Sequence, residues 1–128
     1  MKLIAHRGAS GTHPENTMAA FRAAWEKGVG SFEFDVQRAK DGTLVVVHDD
    51  TLERTGGDPR AVRDLTAAQL KALDAGAWFD SSFRGERIPT LEEVVAATPA
   101  ACELQLEIKQ ADPIYQAIEG DVKRFLDA

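Results

Sequence analysis

The sequence predicts an α/β protein with a mostly parallel sheet. Strand-like and helix-like runs follow one another in the order strand, helix, strand, strand, helix, strand, helix. Four strand-like runs end in chemistry-bearing groups: His6-Arg7, Glu33-Phe34-Asp35, His48-Asp49 and Glu107-Ile108-Lys109. The second and fourth strands each have one apolar and one highly polar face. A sheet sandwiched between helices would want both faces apolar, whereas a barrel with helices only outside can line its mouth with the polar one.

Lys2 to Arg7 is the first strand. Pro14-Glu15-Asn16-Thr17 reads as a helix entry with Asn16 or Thr17 as N-cap, and the helix runs to about Lys27 before Gly28. Phe21, Ala24 and Trp25 form its apolar stripe. Ser31 to Gln37 is the second strand and Thr43 to His48 the third, with the hairpin signal Asp41-Gly42 between them. That link is too short for a crossover helix, which needs about a dozen residues. A two-residue turn would set Asp35 opposite His48; whether the hairpin is local stays open on this count.

From Asp49 to Arg87 the pattern loosens, as in an excursion that carries function. Gly56-Gly57-Asp58-Pro59 reads as a loop and Thr66 to about Leu73 as a short helix before Gly76. Thr90-Leu91-Glu92-Glu93 is a capping box that opens another helix. Glu103 to Lys109 is the fourth strand. Asp112-Pro113 caps a last helix with Ile114, Ile118, Val122 and Phe125 on one face.

At 128 residues, 44% hydrophobic and 28% charged, the chain fits one globular domain with a real core. A net charge of −6 argues against nucleic acid or an anionic membrane as partner, since both attract basic surfaces. The single cysteine, Cys102, excludes an internal disulfide and reads as a buried, inert thiol. No apolar run approaches a membrane span, and the chain enters its first strand without a signal-peptide pattern, so it reads as cytoplasmic.

Alternation puts Glu33, Asp35 and Gln37 on one face of the second strand, and Glu103, Gln105, Glu107 and Lys109 on one face of the fourth. Glu33, Asp35 and Glu107 then converge. Clustered carboxylates repel unless they are protonated or hold a cation, and an all-oxygen set suits Mg²⁺ or Ca²⁺ rather than zinc. His6 and His48 suit general acid-base work near neutral pH. Arg7 and Lys109 suit phosphate oxygens, Arg7 through a fork and Lys109 as a point charge; salt bridges to the neighbouring carboxylates are compatible with that role. Gly8-Ala9-Ser10-Gly11 has the look of a phosphate cradle but matches neither a P-loop nor a dinucleotide fingerprint. Glu15-Asn16 reads as helix capping and loop anchoring, His13 as a surface residue, and Trp25, Trp78 and Phe79 as packing.

The string AHRGASGTHPENT with the three later motifs, in this order, resembles the glycerophosphodiester phosphodiesterase family from Ile4 to about Lys109. The resemblance implies the first four strand units of a TIM (β/α) barrel, with a small insertion, residues 49–87, after the third strand and the site at the C-terminal strand ends. It implies hydrolysis of glycerophosphodiesters to sn-glycerol 3-phosphate and an alcohol, with a divalent cation on Glu33, Asp35 and Glu107. His6 and His48 would be the acid-base pair, and Arg7 and Lys109 the phosphate contacts. Two other readings stand beside it: a phospholipase D-like lyase forming cyclic phosphates, which the lone cysteine disfavours, and a non-catalytic metal- or phosphate-binding half-barrel. Residues 1–128 form a single half-barrel domain on this reading. Its open first and fourth strands predict self-association, in the simplest case a homodimer that completes a barrel.

Overall fold

The computed structural model describes residues 1–108 and 118–128. Lys109, the Asp112-Pro113 helix entry and Ile114 lie outside the described residues.

The main sheet is built on one long strand. β1 (Ala5–His6) and β2 (Ser31–Arg38) are parallel, with Ala5 opposite Phe32 and His6 opposite Glu33. β3 (Leu44–Val46) pairs antiparallel with the far end of β2. Between β3 and the last strand come β4 (Thr51–Leu52), α2 (Glu53–Gly56), β5 (Asp58–Ala61), α3 (Ala67–Lys71) and α4 (Leu91–Ala97). β6 (Glu103–Ile108) then runs parallel to β2 in register from Ser31↔Glu103 to Val36↔Ile108. Val36 is paired with both β3 and β6, and Phe32 with both β1 and β6, so β6 holds one edge of β2 while β1 and β3 share the other. The result is an open α/β sheet rather than a closed barrel.

Helices cover its apolar face. α1 (Met18–Glu26) starts at Thr17, whose hydroxyl accepts from the Ala20 amide and donates to the Pro14 carbonyl. Thr17 is thus the cap; Asn16 is used elsewhere. Phe21, Phe32, Phe34, Val36, Leu91 and Val94 are sealed into one core with Ile118 and Val122 of α5 (Ile118–Asp127). Burying each of the three phenylalanines contributes about 1.5–3 kcal/mol. The predicted capping box is formed, with Thr90 and Glu93 satisfying each other's backbone amides.

Several expectations are corrected. The first strand is confined to Ala5–His6, because residues 2–4 find no strand partner among the described residues; Leu3 and Ile4 are exposed. The hairpin is local, but its loop holds three residues: the Ala39 amide donates to Thr43, and Gly42 takes φ +89°. This extra residue shifts the register by one, so Asp35 faces Val47 rather than His48, with the Val47 amide donating to the Asp35 carbonyl at 3.1 Å. The third strand ends at Val46 instead of His48 because the Gln37 side chain captures the carbonyls of Val47, His48 and Asp49 at 2.9–3.0 Å. Within the insertion, the expected loop at residues 56–59 is the end of α2 and the start of β5, which pairs with β4 as a small second sheet. Leu52, Val62, Leu65 and Leu70 pack with Val45, Val47 and Ile88 in a separate core beneath it. Cys102 is only partly buried, against the edge of the main core.

Candidate active site

The polar face of β2 does not face open solvent. Asp35 and Gln37 are fully buried, and Glu33 is mostly so. Register explains how the carboxylates meet: Asp35 lies directly opposite Glu107 on β6, and Glu33 is two residues earlier on the same face of β2. Ligand-capable oxygens of Glu33, Asp35 and Glu107 all lie within 4.8 Å of one another.

Electrostatics make this cluster incomplete as it stands. Burial, together with the charges of Asp35 and Glu107, pushes Glu33 up to about 7, although Arg7 pulls the other way. Both Glu33 carboxylate oxygens and Asp35 Oδ1 are buried without a hydrogen-bond donor among the described residues. Orphaned buried acceptors are costly unless something meets them. Three converging oxygen donors with three unsatisfied atoms fit a hard divalent cation.

The loop after β1 supplies the remaining contacts to Asp35. Arg7 and Asn16 both take the left-handed conformation, with φ 58° and 56°, which costs about 1–3 kcal/mol for a residue such as arginine. The Asn16 amide donates to the Arg7 carbonyl at 3.0 Å, locking the two together. Their side chains then converge: Asn16 Nδ2 donates to Asp35 Oδ2 at 3.0 Å, and Arg7 Nε lies 3.5 Å from the same oxygen. Gly8 makes the turn possible. Its φ is +79°, and a Cβ there would lie 2.8 Å from the Ala20 backbone.

The imidazoles sit differently. His6 is exposed at the end of β1, with Nε2 3.4 Å from Glu33 Oε2. His48 Nδ1 donates to Asp49 Oδ1 at 2.6 Å, and His48 lines a small cleft with Glu15 and Asn16. Hydrogen bonds from Arg54, aided by that from His48, hold Asp49 down to about 2 against its burial. An ionised carboxylate only accepts, so Nδ1 carries the proton and Nε2 is left to exchange one. Arg7 also donates to Glu15 Oε2 at 3.1 Å, and Arg54 to Glu15 Oε1 at 2.7 Å. Burial raises Glu15, but Arg54 and Arg7 outweigh it, and its pKa ends below the ordinary value.

The predicted residues Glu33, Asp35, Glu107, His6 and Arg7 therefore come together, and His48 reaches the same loop from the β3 side. Lys109 directly follows Ile108 of β6 and lies outside the described residues. Sequence reasoning undervalued Glu15 and Asn16, placed Asp49 beside His48, and did not single out Gln37 or Arg54 for the positions they hold. His13 is a surface residue as expected, bonded to Thr12 and packed on Phe83.

An α/β sheet with an acid cluster on its parallel strands, one imidazole at the end of β1 and a second just beyond β3 defines a class of cation-ready sites. The particular family follows from comparison. Residues 6–126 match the glycerophosphoryl diester phosphodiesterase family, and the chain belongs to it. It is 48% identical over 118 residues to a glycerophosphodiester phosphodiesterase of Caldanaerobacter subterraneus, covering 91% of this chain and 49% of that one. A phosphodiesterase of Oleispira antarctica, solved in complex with the product sn-glycerol-3-phosphate, superposes with a TM-score of 0.87 at 36% identity, over 97% of this chain and 52% of the other. A glycerophosphodiester phosphodiesterase of Agrobacterium tumefaciens gives 0.86 at 35% identity, over 99% and 54%. The chain thus spans about half the length of the relatives it matches.

Proposed function

We propose that this chain is the catalytic half of a metal-dependent phosphodiesterase that hydrolyses glycerophosphodiesters to sn-glycerol 3-phosphate and an alcohol. The observation that carries the reading is the convergence of Glu33, Asp35 and Glu107 within 4.8 Å, beside an imidazole and a guanidinium. The relatives' names, and the product bound to the Oleispira antarctica enzyme, support the same substrate class.

On this reading Glu33, Asp35 and Glu107 hold Mg²⁺ or Ca²⁺, which when bound offsets phosphoryl charge and polarises a phosphoryl oxygen. Arg7, already fixed by Glu15 and Asp35, presents its guanidinium to a phosphate oxygen, and Lys109 is the second cation proposed for the phosphate. His48, with Nδ1 committed to Asp49, exchanges a proton at Nε2. His6 is the other member of the pair. One imidazole deprotonates the attacking hydroxyl, and the other protonates the departing alcohol.

The fold reading that accompanies this is a single half-barrel domain: the first four strand units of a (β/α)₈ barrel, with residues 49–87 as an insertion beside the mouth. A cytoplasmic setting goes with it as part of the same proposal; no helix among the described residues is long and apolar enough to cross a membrane. The outer edges of β1 and β6 carry no strand partner among the described residues. A second copy pairing there would enclose the site, so light scattering is expected to give a dimer mass; a monodisperse monomer would remove the dimer from the account.

The direct test is glycerophosphocholine hydrolysis by the purified chain, following glycerol 3-phosphate. Activity that EDTA abolishes and Mg²⁺ or Ca²⁺ restores is expected. Cation binding with no hydrolysis would instead favour a metal- and phosphate-binding half-barrel.

A further inference from the structure

We infer that Arg54, from the insertion, is a positioning residue for both halves of the site: through Asp49 it orients His48, and through Glu15 it holds Arg7. This rests on the proposed acid-base role of His48. Arg54 lies in α2, away from the sheet in sequence, yet its guanidinium donates outward in two directions. Nε donates to Asp49 Oδ2 at 2.9 Å and Nη2 to Asp49 Oδ1 at 3.0 Å, a two-pronged grip that fixes the plane of the carboxylate. The same Oδ1 accepts from His48 Nδ1. Nη1 donates to Glu15 Oε1, while Glu15 Oε2 accepts from Arg7.

Two features separate this group from an ordinary surface ion pair. The guanidinium lies over the Trp78 ring, 5.3 Å from its centroid, and Trp78 is itself held by donating to the Ala75 carbonyl at 3.0 Å. The arginine is therefore clamped on one face by a fixed aromatic and on its edge by two carboxylates. Glu15 is nearly buried, so that end of the network is shielded from solvent, while Asp49 is about a quarter exposed. The partly exposed guanidinium itself adds little stability, and its consequence is geometric. Without it, the Asp49 carboxylate is free to turn, and the imidazole that leans on it loses the acceptor that selects the Nδ1–H tautomer. A lysine cannot replace it fully, because a single ammonium cannot grip both Asp49 oxygens and reach Glu15.

The test uses the whole chain with ¹⁵N-labelled histidine, whose three residues make assignment tractable. In the parent chain the neutral His48 ring is expected as the Nδ1–H tautomer. Arg54→Ala is expected to convert it to a mixture, leaving His6 and His13 unchanged, and Arg54→Lys to recover it in part. If the chain hydrolyses glycerophosphocholine, Arg54→Ala should lower kcat by about 10- to 100-fold, on the scale of lost orienting partners, and raise KM as well, because Arg7 loses the anchor of its Glu15 partner. A folded Arg54→Ala chain with His48 still wholly Nδ1–H overturns the inference. Should that variant not fold, Arg54→Gln carries the same reading. The tautomer is read without turnover, so an inactive chain with the expected tautomer change counts against the proposed reaction and not against the placement of Arg54.

Discussion

Replacing Asp35 with alanine is expected to abolish divalent-cation binding. Asp35 is the centre of the cluster: fully buried, opposite Glu107 in register, and on the same strand face as Glu33. Its Oδ2 is oriented by Asn16 and Arg7, while Oδ1 has no donor among the described residues and is the atom left for a ligand. Two carboxylates remain in the variant, too few to replace the lost ligand with protein oxygens. Losing the Asp35 charge should also let the Glu33 pKa fall from about 7 toward its ordinary value, because one of the charges raising it is gone. Asp35→Asn, which keeps the volume, separates ligand loss from a packing defect. Calorimetric titration with Mg²⁺ and Ca²⁺ reads the effect, and unchanged affinity in a folded Asp35→Ala chain would remove Asp35 from the cation site.

Loss of either imidazole has the second large expected effect, on turnover. A positioned proton-transfer group contributes about 10²-fold or more, so His6→Ala and His48→Ala should each lower kcat by at least that factor in a chain that hydrolyses substrate. Their environments differ, and so should the secondary effects. His48 is held by Asp49, and its loss leaves Asp49 with Arg54 as partner. His6 is exposed and touches Glu33, so its removal should leave folding stability nearly unchanged. Initial rates on glycerophosphocholine decide this, and full activity in either variant would exclude that imidazole from proton transfer.

Much of this site was legible in the sequence because strand alternation is a strong rule. A period of two places Glu33, Asp35 and Glu107 on one face whatever the exact strand ends are, and a shared face is what makes a cation site. His6 ends β1 as expected, whereas Arg7, in the left-handed region, and His48, beyond β3, reach the site from outside the strands. The hairpin register was not legible, because Asp41-Gly42 fits both a two-residue turn and the three-residue loop that Gly42 closes with a positive φ. β5 was hidden by its own composition: Asp58-Pro59 suggests a loop, and proline is tolerated there in a short two-stranded sheet. Asn16 looked like a helix cap because Thr17, the actual cap, is its neighbour; only the left-handed backbone at Asn16 turns its amide to Asp35. Arg54 carries no local signal at all, since its partners lie 5 and 39 residues away on other segments.

The central claim is that Glu33, Asp35 and Glu107 form one divalent-cation site, and cation titration of the parent chain at two pH values tests it most directly. With its pKa near 7, Glu33 is mostly protonated at about pH 5.5 and mostly ionised at about pH 8, and a cation must displace that proton to bind. The predicted result is one Mg²⁺ or Ca²⁺ per chain, bound about 30-fold more tightly at the higher pH, with close to one proton released per cation at the lower. A folded chain that binds no divalent cation at about pH 8, or binds it equally well at both values, would contradict the account.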